Sequence, residues 1–431
     1  MENKRDPHKL MFIDISKAYL HADVINHDLY VELPKEMNMP DKCGWLKKAL
    51  YGTRDGAKCW ENDYAAAMVA QGFKRGRSSA CLFRNEKTGS MSFVHGDDFV
   101  VSGPESHLLE LKRAIGQKYK AKVRAVLGPN ENDDKSVIIL GRVVEWKSHG
   151  VDLEADPRHA ELILKEMGMD NCMGSDVVGR AGRAEEDDVE LDPAEATKFR
   201  SIAARCNFLA ADRIDLQFAC KEVCRRMSTP CASDWQLLKG LARYLRSHPR
   251  MLLSFAYQKP PECIAITVDS DFAGCKRTRK STNGGYAMHG HHLIKSWSTT
   301  QTVVAMSSGE AEHYGAVKGA CEGIGIAGLV WDLTGRHVKL EVSTDSSAAR
   351  GIAMRRGVGK VRHLEVRTLW LQDQVDRGIV KINKVSGQTN PADVCTKYLE
   401  GRRMQELLEQ LPLHFTAGRH SLVPELQGAQ S

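Results

Sequence analysis

Along the first third of the chain, apolar side chains come in short runs that break at turn residues. "LMFIDI" and "LYVELP" have the length of strands, the first ending near Asp14 and the second stopped by Pro34. "LKKALYGTRDGAKCWENDYAAAMVAQGF" passes from a Gly-bearing loop into an alanine-rich helix. "CLFRNEKTGSMSFVHGDDFVVSG" predicts strand, turn, strand, acidic tip, strand. "ESHLLELKRAIGQKY" predicts an amphipathic helix, with Ser102 and Glu105 at capping-box spacing before it. "SVIILGRVVEW" reads as one strand with a glycine interruption. Residues 156–255 are mainly helical in pattern, interrupted by a Gly- and acid-rich stretch near 173–192. A new α/β block opens near residue 260. It predicts strands at 264–269, 284–289 and 292–298, a helix at 308–333, and a strand at 338–344. A helix, a second helix at 363–377, a strand at 379–385 and a helix from Pro391 follow, with a loose polar tail after 412.

The length, 431 residues, suggests two or three domains, and 42% hydrophobic with 27% charged residues is ordinary for a globular protein. No apolar run is long enough to span a bilayer, and "MENKRDPHKLMFIDI" lacks a signal-peptide h-region, so no membrane partner is expected. Twelve cysteines without a C-x-x-C pair fit free thiols in a reducing compartment. The net charge of +6 permits a polyanionic partner. It is concentrated in "CKRTRKST", where Lys276, Arg277, Arg279 and Lys280 lie beside "VDSDFAG". "EEDDVELD" reads as a solvated linker or loop.

Carboxylates at element boundaries carry the candidate chemistry. Asp14 ends a strand, while Asp97 and Asp98 stand side by side at a hairpin tip. Adjacent carboxylates repel, and three convergent ones suit divalent cations in phosphoryl transfer; a polar turn accounts for the local stretch equally well. In the last block, Asp269 ends a strand, Glu310 lies in the first turn of a helix, Asp345 ends a strand, and Asp393 opens a helix. Such positions are where β/α folds gather functional groups. Each has a structural alternative. Glu310 has capping-box spacing with Ser307, Asp393 can complement a helix dipole, and Asp269 and Asp271 can be turn acids.

"FIDISKAYLHADV…DLYVELP", "LKKALYGTRDGAKCW" and "FVHGDDFVVSG" resemble the palm of copia-type retrotransposon reverse transcriptases. The resemblance implies that Asp14, Asp97 and Asp98 bind the metals and that Tyr19 excludes a ribose 2′-hydroxyl. It departs from the family where His95 and Gly96 precede the acid pair in place of Tyr-Val, and where Asp55 and Gly56 replace Gln-Ala. The family's fingers, with the cations that hold the nucleotide triphosphate, lie upstream of the dozen residues that precede Asp14. Weak or no polymerase activity is therefore expected of this chain alone. "ILGRVVEW…ADPRHAELILKEMGMDNC" and "FRSIAARCNFLAADRIDLQFACKEVCRRMSTPCASDWQLLKGLARYLRS" resemble the thumb and connection, where Arg205, Arg213, Arg225 and Arg226 are candidate backbone contacts.

"VDSDFAGCKRTRKSTNGGYAMHGHHLIKSWSTTQTVVAMSSGEAEHYGAV", "STDSSAARGIA", "VRHLEVRTLWLQDQV" and "VSGQTNPADVCTKYL" resemble the ribonuclease H domain of the same elements. The resemblance implies an α/β (α+β) organisation in four parts: a truncated palm at 1–150, a helical thumb/connection at 151–258, an RNase H-like domain at 259–412, and a flexible tail at 413–431. The RNase H-like part would be a mixed five-stranded sheet with helices on its faces. Its catalytic, metal-binding acids would be Asp269, Glu310, Asp345 and Asp393, with Asp271 and Glu312 as neighbours easily confused with them. The implied cofactors are two Mg²⁺ or Mn²⁺ per active site. The implied partners are RNA–DNA hybrid, template–primer and, where the polymerase is complete, dNTPs, with upstream Pol segments or a dimer partner. Lys276, Arg277, Arg279 and Lys280 would contact phosphates. A cytoplasmic particle or the nucleus is the expected location, and a non-catalytic nucleic-acid-binding remnant is the alternative. "HGHH" (His289, His291, His292) falls in a loop, and His363 stands in a family motif without an assigned role.

Overall fold

The computed structural model describes residues 6–25, 28–156, 158–179, 188–359, 364 and 366–423. The chain divides into two compact units, residues 1–137 with 328–337, and residues 138–327 with 338–431.

The first unit contains β1 (His8–Ile15), β2 (Tyr30–Glu32), β3 (Cys43–Trp45), α1 (Gly56–Ala70), β4 (Lys74–Arg75), β5 (Leu82–Arg84), β6 (Met91–His95), β7 (Asp98–Pro104), α2 (Glu105–Lys118) and β8 (Ala121–Leu127). Six strands form one sheet in the order β4-β5-β6-β7-β1-β8, and β2 pairs with β3 in a separate ribbon. The two-residue period of β1 puts Met11, Ile13 and Ile15 on one face. There they join a core with Trp60, Tyr64 and Met68 of α1 and Leu108, Leu111 and Ile115 of α2. The capping box expected at Ser102 does not form. β7 runs through Ser102 to Pro104, and Glu105 instead pairs with the buried Lys9 at 2.7 Å.

In the second unit, β9 (Ser136–Ile139), whose first residues lie at the boundary, is followed by β10 (Arg142–Lys147). These are two strands, not one: Leu140 and Gly141 both have positive φ, 49° and 72°, as a primed hairpin turn requires. Then come β11 (Gly150–Ala155), α3 (Arg158–Met167), α4 (Pro193–Ala210), α5 (Gln217–Cys224), α6 (Ala232–Ser247) and β12 (Arg250–Ala256). β13 (Cys263–Ser270), β14 (Thr282–His289), β15 (His292–Thr300), α7 (Ser308–Thr334), β16 (Lys339–Thr344), α8 (Ser347–Met354), α9 (Trp370–Asp376), β17 (Val380–Lys384), α10 (Gly401–Leu408) and β18 (Leu413–Thr416) complete the chain. Near Pro391, where a helix is expected, a short 3₁₀ turn spans Pro391–Cys395.

The mixed five-stranded sheet of the expected RNase H-like fold is present in the order β15-β14-β13-β16-β17. β14 lies antiparallel to β13 and β15, while β13, β16 and β17 run parallel. A second sheet has the order β18-β12-β11-β10-β9. Three stretches therefore differ from the expected division. Residues 138–150 belong with the second unit, residues 328–337 belong with the first, and Leu413–Thr416, expected in a flexible tail, is a strand paired with β12. The helices of the expected thumb and connection do not bury a core of their own. Ile202, Leu209, Leu241 and Leu245 share one core with Tyr286 and Leu293 of the five-stranded sheet and with Val394 and Leu407.

Candidate active sites

In the first unit, β1 lies beside β7 with Asp14 directly opposite Asp98. Asp97 occupies the turn, where Gly96 at φ 62° takes the first central position of a two-residue hairpin loop. The Trp60 indole donates to the Gly96 carbonyl at 2.7 Å, so the aromatic core of α1 fixes the acidic tip. Like charges directly across a ladder repel, and a cation answers them. Between Phe12 and Ile13 the β1–β8 register slips, leaving Arg124 as the extra residue of a bulge, and its Nη1 reaches Asp98 Oδ1 at 3.1 Å. Burial, with the charges of Asp97 and Asp14, holds the Asp98 carboxyl above the usual aspartate value against the pull of Arg124. Tyr19, in the 3₁₀ turn after β1, stacks on Tyr51 with ring centroids 4.3 Å apart.

The second constellation is tighter. Asp269 sits near the end of β13, and Asp345 immediately follows the adjacent parallel strand β16. The third carboxylate is Glu312 on α7. Ligand oxygens of Asp269, Glu312 and Asp345 all lie within 4.8 Å of one another, the one such acidic group among the described residues. α7 reaches the strands closely because Gly319 and Gly323 face them. A Cβ on Gly319 would stand 2.7 Å from Val268, and one on Gly323 would stand 2.3 Å from Leu340.

Glu310, the residue expected here, is placed elsewhere. Its oxygens accept from the Met306 N–H at 2.8 Å and the Tyr314 hydroxyl at 2.6 Å, and its own N–H donates to Ser307 Oγ. It serves the start of α7. Glu312, which the sequence offered only as a confusable neighbour, takes its place in the carboxylate group. Asp271 stays outside the group: its carboxylate accepts from the Thr282 N–H and closes the loop that follows β13.

Asp393 joins from the 3₁₀ turn Pro391–Cys395. The Asn390 side chain accepts from Ala392 N at 3.0 Å and donates to the Val268 carbonyl at 3.2 Å, which ties that turn to β13. Thr396 Oγ1 donates to Asp269 Oδ2. Lys397 Nζ stands 2.7 Å from Asp393 Oδ1 and 3.7 Å from Asp269 Oδ2. Asn390, Thr396 and Lys397 were not singled out from sequence. The Asp393–Lys397 spacing of four was the available signal.

Crowding of the acids shows in their proton affinities. Burial, then Asp269 and Asp345, push Glu312 up to about 8. Burial and Asp269 raise Asp345. Burial raises Asp393 to about 6, with Lys397 pulling it down and Asp269 pushing it up. A carboxyl set that holds protons this firmly is one that a divalent cation would relieve.

The basic loop between β13 and β14 is exposed at Lys276, Arg277 and Arg279 and half-buried at Lys280, with Arg279 at φ 57°. Lys276 and Arg277 border a cleft of about 210 Å³ that Arg225 and Arg226 also line. Arg225 and Arg226 also pair with Glu222 and Asp234. Arg213 is no candidate for a nucleic-acid contact, since it is buried and bonded to Asp215. Arg205 pairs with Glu166. His292 Nε2 donates to the Ala256 carbonyl at 2.7 Å, and the described histidines do not enter a ligand cluster. His363 and residues 185–187 of the acidic stretch lie outside the described residues.

Residues 3–176 match the family described as reverse transcriptase (RNA-dependent DNA polymerase). Three curated relatives extend the similarity. The chain is 23% identical over 419 residues to the retrovirus-related Pol polyprotein from transposon TNT 1-94 of Nicotiana tabacum, covering 93% of the chain and 31% of that protein. It is 24% identical to that from transposon RE2 of Arabidopsis thaliana, over 90% of the chain and 26% of the relative. It is 22% identical to the transposon Ty1-GR3 Gag-Pol polyprotein of Saccharomyces cerevisiae, over 90% of the chain and 23% of the relative. The chain thus spans a quarter to a third of the length of these relatives. Over most of its length it is similar to the Pol polyproteins of Ty1/copia-type retrotransposons, and its residues 3–176 match the reverse transcriptase family.

Proposed function

We propose that the second unit is a divalent-metal-dependent ribonuclease H that cleaves the RNA strand of RNA–DNA hybrids, joined in one chain to a reverse-transcriptase palm. The observation that carries this reading is the convergence of Asp269, Glu312 and Asp345 from three elements within 4.8 Å. The donor set is oxygen only, which suits Mg²⁺ or Mn²⁺, with Asp393 as a fourth carboxylate. Bound there, two such ions would supply activation of an attacking water and charge stabilisation of the leaving oxygen. The chain's own residues do the rest. The Ser270 N–H and the Thr344 hydroxyl, each 3.4 Å from a Glu312 oxygen, orient that carboxylate, and Thr396 holds Asp269. Lys276, Arg277, Arg279 and Lys280 offer phosphate contacts beside the acids, and the 2′-hydroxyl marks the strand to be cut.

The test is cleavage of a labelled RNA–DNA hybrid with Mg²⁺ by the full chain and by Asp345→Asn. Cleavage lost in the variant supports the reading, and cleavage that survives it overturns the site. For the palm, a specific observation favours binding of template–primer over extension: Arg124 already engages Asp98, and Asp14, Asp97 and Asp98 do not form a ligand group as tight as the second among the described residues. Primer extension by the chain, lost in Asp97→Asn, would establish polymerisation instead.

A further inference from the structure

Lys397 brings a positive charge into the second carboxylate set from within the chain. The buried Val394 and Cys395 anchor its backbone, and its N–H bonds the Asp393 carbonyl at 3.3 Å. Its ammonium lies 2.7 Å from Asp393 and 3.7 Å from Asp269. Among the described residues it is the cation that pairs with this set within 4.0 Å. The pairing is uneven: among the described residues its ion pairs within 4.0 Å are with Asp393 and Asp269, while Asp345 feels its charge from farther away. The side chain remains 48% exposed, so its four-carbon stem can carry the charge out into solvent without disturbing the core.

We propose that Lys397 is a resident counter-ion that occupies the Asp269–Asp393 side of the site and withdraws when a divalent cation is held there. This rests on the metal-binding reading of the same carboxylates and deepens it. Two like charges cannot share the oxygens of Asp269 and Asp393 at these distances, so ammonium and divalent ion exclude each other. Glu312 and Asp345 have no ammonium at ion-pair distance among the described residues, so an ion held by them with Asp269 meets only the longer, 3.7 Å contact and fills first. Metal binding is therefore sequential, with unequal affinities set by a side chain of the protein itself. A ligand affinity is reduced by whatever fraction of the site another group already occupies, and removing the occupant restores it.

The experiment is direct titration of the full chain with Mn²⁺, counting free ion by electron paramagnetic resonance, with no nucleic acid present. The wild type is expected to bind with two unequal affinities. Lys397→Met is expected to tighten the weaker one by about tenfold, and Lys397→Arg, which keeps the charge, is expected to leave the two unequal. A Lys397→Met curve that coincides with the wild type overturns the inference while leaving the metal site intact. So does weaker hybrid binding in that variant with unchanged Mn²⁺ binding, which would assign the lysine to a phosphate. No Mn²⁺ binding by the wild type, and none lost in Asp269→Asn, would instead overturn the metal-site reading itself, and the inference with it. If Lys397→Met does not fold, as judged by its thermal transition, Lys397→Gln takes its place in the same titration.

Discussion

Glu310 and Glu312 are two residues apart on α7, a rotation of about 200° around the helix axis. They therefore cannot serve the same face. Glu312 lies three, seven and eleven positions before Gly315, Gly319 and Gly323, the side on which α7 meets the sheet. That stripe was legible in the sequence and would have chosen Glu312, whereas the capping signal at Ser307 describes what Glu310 does. The expected outcome is a clean separation. Glu312→Gln lowers hybrid cleavage by about a hundredfold or more, while Glu310→Gln keeps cleavage within a few-fold and costs about 1 kcal/mol of stability through its buried hydrogen bonds. Parallel cleavage and urea-unfolding measurements check both. A pH effect belongs to the same residue. The folded-state affinity of Glu312 for its proton, about 8, lies above the ordinary glutamate value. Its contribution to stability is thus fully present below pH 4 to 5 and is lost as pH rises through 8. Without divalent metal, Glu312→Gln should melt with the wild type near pH 5 and progressively above it towards pH 8.5. A constant difference across that range would show that the carboxyl titrates normally.

At the scale of elements, periodicity placed most strands and helices, because amphipathic faces record themselves in sequence. What it missed depends on geometry that periodicity does not carry. The bulge that frees Arg124 to reach Asp98 is a register shift between strands distant in sequence. The Leu140–Gly141 turn looked like a glycine inside a strand because leucine seldom takes positive φ. α7 shows how an element can place a carboxylate. Its glycines let the helix axis approach β13 and β16, and that approach delivers Glu312 to Asp269 and Asp345. Two substitutions on this one helix should have opposite signs. Gly319→Val forces a branched side chain against Val268 and Ile266, costs about 1–3 kcal/mol by overpacking, and displaces Glu312, so cleavage falls with stability. Gly325→Ala meets nothing within 4 Å. It should stabilise by about 0.5–1 kcal/mol through helix propensity and leave cleavage unchanged. Denaturant midpoints of the two variants decide it, and a destabilised Gly325→Ala would mean that position 325 is not the open helical site described.

At the scale of the molecule, the sequence suggested a separate helical thumb and connection before the nuclease, whereas the second unit folds these helices and the five-stranded sheet around one core. The reason is distributed along the chain. Leu241 and Leu245 of α6, Val394 beside Asp393, and Leu407 of α10 meet only in three dimensions, and no local pattern announces it. Polar contacts join the same parts: Gln217 of α5 donates to Ser296 of β15, and the half-buried Lys221 donates to Thr282 of β14 at 2.7 Å. A shared core makes a shared cooperative unit, in which sub-global opening of one part exposes apolar surface of the other. Ligand that binds the folded unit stabilises all of it, by about 2.7 kcal/mol at a hundred times the dissociation constant. Saturating Mn²⁺ should therefore slow amide hydrogen exchange in α4 and α6 together with β13 and β16, although none of the four carboxylates lies on those helices. Protection confined to the five-stranded sheet, with α4 and α6 exchanging as before, would mean that the helices open independently and that the four-part division read from the sequence describes the protein better than a single second unit does.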